Sequence, residues 1–159
     1  MKNSMKEIKM RRYQNLLTVS GLGVIICGLW SVLKTILALF MKEGLLGELP
    51  DETVIRVVLF AIIGGIFLIV VLLRLYVGLS ARAEGFGKKK GYGYIVLAIL
   101  MALASLASLV MIFFDANITS ITELVVSIIF EATSLIATIE LLVAAFTVKK
   151  LRKELGEAS

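Results

Sequence analysis

The sequence predicts an all-α integral membrane protein: four antiparallel transmembrane helices in one bundle, with both termini in the cytoplasm. Three observations carry that reading. The chain is 59% hydrophobic, its mean hydropathy is +0.98, and four long apolar stretches alternate with short polar ones. Soluble domains hold about 45 to 50% apolar residues, so most of this chain must be solvated by lipid or by its own helices. The 159 residues read as a single membrane domain.

Residues 1–14 set Lys2, Lys6, Lys9, Arg11 and Arg12 against Glu7. The apolar run that follows is too long for a signal-peptide core and ends in no small-residue cleavage site, so it reads as a retained anchor. The first span, about 16–40, is long enough to cross a hydrocarbon core of about 30 Å at 1.5 Å per residue. Ser20, Gly23, Cys27, Ser31 and Thr35 recur along it at helical spacing, a small face suited to close helix approach. The next loop is acidic and holds the single proline, Pro50.

The second span, about 54–79, carries Ala61 and Gly65 as a small-x-x-x-small pair, and Arg56 and Arg74 stand near its expected ends. A basic loop, 80–91, holds Arg82, Lys88, Lys89 and Lys90 against Glu84. The third span, about 92–114, begins with Tyr92 and Tyr94, read as interfacial anchors. A short turn leads into the fourth span, about 118–148, which is expected beside the third. In the charged tail Lys150 and Glu154 are four apart, a helical pairing distance.

Orientation follows from charge. The amino-terminal segment, the second loop and the tail hold 13 of the 17 Lys and Arg residues, so the positive-inside rule places both ends in the cytoplasm of a cell or cytoplasmic membrane. The net charge of +5 is therefore a membrane-face signal, and no base-stacking motif accompanies it. An internal repeat offset by 66 residues would pair Gly65 with Glu131 and Arg74 with Glu140, but the surrounding residues do not match.

Most catalytic chemistry is excluded. The chain has no histidine and one cysteine, Cys27, inside an apolar run. It has no nucleophile elbow, metalloprotease motif, phosphate loop or paired-cysteine motif. The expectation is a non-enzyme without cofactor or metal.

The fourth span carries the functional signal. Ser120, Glu123, Ser127, Glu131, Ser134 and Thr138 fall on one helix face at steps of three and four. Ser120 and Glu123 have the spacing of a capping box at the helix start. Counting depth along each helix puts Glu131 near mid-membrane and groups Glu140 with Arg74 at the inner level, where they could pair. The expected ion or substrate site is Glu131 with Ser127, Ser134, Thr138 and Lys34, whose ammonium is placed to reach the carboxylate. A structural reading stands beside it: a buried carboxyl bonded to Ser105 or Ser108, or an ion pair with Lys34.

A second group, Arg74, Arg82, Lys88, Lys89 and Lys90, is expected to meet anionic lipid headgroups, against the plainer reading of a topology signal. The function expected is a small transporter or channel for an ion or small cation, working as a homo-oligomer. Its contact would use the Ala61 and Gly65 face or the small face of the first helix. The alternative is a non-transporting scaffold or accessory subunit whose polar stripe is structural, with anionic lipid on its cytoplasmic face.

Overall fold

The computed structural model describes residues 2–41, 53–114 and 121–156; the side chains of residues 2, 3, 34–41, 53–57, 59, 60, 63, 113 and 121–123 lie outside the described set. Four helices account for nearly all of it: α1 (Lys2–Met41), α2 (Thr53–Gly85), α3 (Gly93–Phe114) and α4 (Ile121–Glu154). All four are long and apolar enough to cross a membrane, which suggests a membrane location. In hydrocarbon every backbone polar group needs an internal partner, and a helix supplies one within its own segment.

The helices outrun the apolar stretches that foretold them. α1 takes in the basic amino-terminal segment, α2 continues to Gly85, and α4 runs into the charged tail. Lys, Arg and Glu are good helix formers and none of these flanks holds a proline, so nothing stops the helix where hydropathy falls.

α1 packs mainly on α2 and α4, α3 packs on α4, and α2 meets α3 only lightly. The described core gathers Leu17 and Val24 of α1, Val77 and Ala81 of α2, Tyr94, Ile95 and Ala98 of α3, and Leu141, Ala144, Ala145 and Val148 of α4. Elsewhere the exposed faces are apolar, with Ile66, Leu68, Ile69 and Leu72 on α2 and Leu103 and Val110 on α3. Apolar surface on that scale suits lipid rather than water.

Glycines set the α1–α2 seam. A Cβ on Gly21 would stand 2.8 Å from the Gly78 carbonyl oxygen, and one on Gly78 2.7 Å from the Gly21 oxygen. Gly85 presses on Thr18 and Gln14, and Gly28 lies under the aliphatic stem of Arg74. Positions rising along α1 thus meet positions falling along α2.

Two expectations about small faces change. Ser20 and Cys27 are buried inside the structure, so this part of the α1 face packs on the chain's own helices. Ala61 and Gly65 are exposed, and a Cβ on Gly65 would meet nothing within 4 Å. The two ends of the chain meet, with Lys6 Nζ 2.8 Å from Glu154 Oε2. Glu154 therefore reaches across to α1, beyond the Lys150 spacing read within its own helix.

Candidate functional site

Where α2 and α3 meet lightly, a half-open cavity of about 350 Å³ remains between them. Its walls are mainly apolar: Val70 and Leu73 from α2, and Leu97, Leu100, Met101 and Ala104 from α3. Four polar groups converge on it: Arg74, Ser105, Ser108, and Glu131 reaching in from α4.

Arg74 and Glu131 therefore share a level. Gly28 of α1 packs on Arg74, and Trp30, two residues further on, packs on Phe130, so α1 ties Arg74 and Glu131 to one level. The sequence count grouped Arg74 with Glu140, whereas the structure sets Arg74 beside Glu131 in the cavity wall. Glu140 is exposed instead, on another face of α4.

Gly28 makes the placement of Arg74 possible. A Cβ at that position would touch Arg74 Cβ and Cδ at 3.4 Å, so the bare backbone of α1 lets the arginine stem lie close along it. Arg74 Nη1 is buried without a hydrogen-bond partner among the described residues. Both Arg74 and Glu131 act electrostatically on Cys27 of α1, so three helices bring their polar groups to one neighbourhood.

The rest of the predicted site divides. Ser127 is half-buried, whereas Ser134 and Thr138 are buried within the bundle. The Thr138 hydroxyl donates to the Ser134 carbonyl at 2.8 Å, binding it into its own helix. Neither residue lines the cavity, whose hydroxyls come from Ser105 and Ser108 of α3. Lys34 belongs to α1, but its side chain lies outside the described residues, as do Ser120 and the side chains of Glu123 and Arg56.

A second polar cluster, at the end where the termini meet, was not foreseen. α2 stops in a Schellman turn: the Lys88 N–H donates to the Ala83 carbonyl at 3.0 Å, and the Gly87 N–H to the Glu84 carbonyl at 3.0 Å. Gly87 has φ +89°, the left-handed conformation that this stop requires and glycine accepts without strain. The turn seats Glu84 with no exposed surface at all.

Tyr94, itself buried, donates its hydroxyl to Glu84 Oε2 at 2.6 Å. Lys149 Nζ and Arg152 Nη1 of α4 stand 3.3 and 3.7 Å from Oε1. These are ion pairs and not aligned hydrogen bonds, since Oε1 has no directed donor. Lys149 spends its directed bond on the Lys90 carbonyl, 2.6 Å away, and sits 4.5 Å from the Tyr92 ring centroid.

Tyr94 is therefore a ligand of a buried carboxylate and not an interfacial anchor; Tyr92 keeps an exposed position. Glu84 was read as a loop charge because α2 was expected to end near Leu79. The signal was present in the spacing: Val77, Ala81 and Glu84 continue one helix face, and Leu141, Ala145, Val148 and Arg152 do the same on α4.

The expected lipid group also separates. Arg74 lines the cleft, while Lys88, Lys89 and Lys90 are exposed on the loop and Arg82 is half-buried with its guanidinium 5.9 Å from the Phe86 ring centroid. Among the described residues no group of acids and cysteine suits a metal ion.

Comparison with family models, with curated proteins and with solved structures finds no match for the chain. The reading of the cleft rests on its own chemistry.

Proposed function

We propose that the protein is a small membrane transporter or channel in which Glu131 is the exchanging carboxyl. The observation that carries this is where Glu131 stands: half-buried among the apolar residues of α4, beside Arg74, lining a cavity and not sealed in a dry core. An ionisable side chain in such surroundings is costly and marks an ion or proton path by default.

Arg74 narrows the choice of ion. Its guanidinium stays charged at any working pH, so a metal or organic cation entering the same cavity meets a fixed positive charge. A proton adds no further ion to the cavity, and it can sit on Glu131 when an anion takes over the offsetting of Arg74.

In this reading the four helices run antiparallel, with both termini and the 86–92 turn in the cytoplasm. The alternating glycine contacts of α1 and α2, the meeting of Lys6 with Glu154 and the basic flanks all support that arrangement. The exposed Ala61 and Gly65 are the face for a homo-oligomer contact. Lys88, Lys89 and Lys90, with Arg82, are placed for anionic headgroups.

The rival reading, a scaffold or accessory subunit, draws support from Ser134 and Thr138, which are buried and tied into the helix. One experiment separates the two. In proteoliposomes carrying an internal pH dye, Glu131→Gln should abolish proton movement while leaving folding and oligomer size unchanged. Undiminished proton movement in Glu131→Gln, or none in the parent protein, would remove the transporter reading.

A further inference from the structure

We infer that the α2–α3 cleft binds a lipophilic carboxylate, such as a medium-chain fatty acid, with its head on Arg74 and its chain along the apolar walls. The inference rests on the proposed role of Glu131 and names the cargo of that site.

The shape of the cavity argues for an organic molecule. Small-molecule sites are mostly apolar with a few convergent polar groups, and ion cages are not. Six of the ten lining residues are Val70, Leu73, Leu97, Leu100, Met101 and Ala104. A space of about 350 Å³ holds roughly ten to twelve non-hydrogen atoms at about 30 Å³ each, the size of an eight- to ten-carbon acid. Val70, Leu73, Leu100 and Leu103, at or beside the cleft, are all exposed, so the opening continues into an apolar surface. A ligand would enter from the bilayer and not from water.

Charge selects the head group. Arg74 Nη1 is a buried donor without a partner among the described residues, and a carboxylate accepts from guanidinium in matching geometry. A cation would be repelled by Arg74, and an alcohol would offer Nη1 no charged acceptor.

Glu131 makes the exchange neutral. With the cleft empty, its carboxylate offsets Arg74; when a ligand carboxylate takes that role, Glu131 accepts one proton. One anion and one proton thus arrive together, and the charge of the site is unchanged. Among the described residues, Arg74 from α2 shares the cavity with Glu131, and Cys27 from α1 lies in the same neighbourhood. α3 contributes only the hydroxyls of Ser105 and Ser108.

The chain supplies its own reporter. Its one tryptophan, Trp30, lies with its ring 6.2 Å from that of Phe130, the residue before Glu131. The test uses the full chain in nanodiscs of zwitterionic phosphatidylcholine, titrated with octanoate, octanol, octyltrimethylammonium and acetate. Trp30 fluorescence reads binding, and calorimetry in two buffers of different ionisation enthalpy reads proton uptake.

Octanoate should bind saturably with uptake of one proton. Octanol and octyltrimethylammonium should bind about ten-fold more weakly or not at all, since each forgoes a charge-assisted bond to Arg74. Acetate, the aqueous form of the same chemistry, should not bind; acetate binding as tight as octanoate would overturn entry from the bilayer. Arg74→Gln should weaken octanoate by the same factor. Ala104→Phe, which fills the cleft from an exposed position and leaves every charge in place, should block it even if Arg74→Gln fails to fold.

Glu131→Gln should keep octanoate binding and lose the proton uptake, since the amide stands in for the protonated acid. Octanoate binding that ignores Ala104→Phe, or that is no tighter than octanol binding, overturns the inference. Proton movement in proteoliposomes without octanoate binding removes the inference alone. Saturable octanoate binding without proton movement removes the transporter and leaves the site.

Discussion

Tyr94→Phe is the sharpest test of the buried cluster at the charged end. The substitution removes one oxygen from a fully packed position and leaves every apolar contact of the ring. What is lost is the 2.6 Å bond to Glu84 Oε2, the only directed hydrogen bond that this buried carboxylate receives from a side chain among the described residues. A hydrogen bond to a charged group contributes about 1.5 to 3 kcal/mol. For a chain of this length about 1 kcal/mol shifts a melting midpoint by roughly 2 to 4 °C, so Tyr94→Phe should melt roughly 3 to 12 °C lower.

Glu84→Gln should cost more. It leaves Lys149 and Arg152 facing an uncharged amide, and breaking a buried pair by removing one partner costs about 3 to 5 kcal/mol. The loss should fall toward the lower end, because Lys149 keeps the Lys90 carbonyl and the Tyr92 ring. Thermal unfolding in detergent, followed by helical circular dichroism, measures both variants and their double mutant. The double mutant should be less destabilised than the two singles added, since both remove the same contact. A Tyr94→Phe midpoint unchanged from the parent, or strict additivity, would refute a working Glu84 cluster.

The glycine seam makes a paired prediction: Gly78→Ala forces a Cβ onto the Gly21 carbonyl and the Ile25 side chain and should destabilise by about 1 to 3 kcal/mol. Gly64→Ala, with nothing within 4 Å, should be neutral or raise the melting midpoint, because alanine favours the helix by about 1 kcal/mol. If Ala61 and Gly65 form the contact between copies, Gly65→Leu should shift the oligomer to monomer in light scattering without lowering the midpoint; an unchanged mass refutes it. Replacing Lys88, Lys89 and Lys90 by Gln should weaken binding to phosphatidylglycerol vesicles, read by flotation, and leave binding to phosphatidylcholine as it was. Lys6→Gln removes an exposed ion pair and should not move the melting midpoint, since such pairs contribute little.

Hydropathy made the four helices legible, because lipid leaves a long apolar segment no other backbone solution. It did not reveal where they stop. Gly85 lies several residues past the point where α2 ceases to be apolar, and a charged helical turn looks like a loop to any apolar count. One misplacement follows from that cause: Glu84 belongs to the loop by the apolar count and is buried in the last turn of α2. The polar face of α4 was legible by contrast, since periodicity needs no helix end to set Glu131 on it. The companions of Glu131 were not, because periodicity names the residues on a face and is silent about which neighbour the face meets. Thr138 shares the stripe and turns its hydroxyl into its own helix, while Ser105 and Ser108 come from α3.

The open side of the bundle and the buried cluster are linked by how the helices are tied. α2 is held to α1 by backbone-close glycine contacts, and to α3 at the hairpin end by Tyr94 and Glu84. Beyond that tie α2 and α3 have little contact, and the cleft occupies the space. Close glycine packing leaves a helix little freedom to slide, because any shift brings backbone against backbone. α2 is thus fixed on one side and at one end, which holds Arg74 opposite Glu131 without requiring α3 to close over them. A carboxylate and a guanidinium kept in register across an open cleft are free to exchange partners. The same two groups sealed between packed helices would pair once and stay paired.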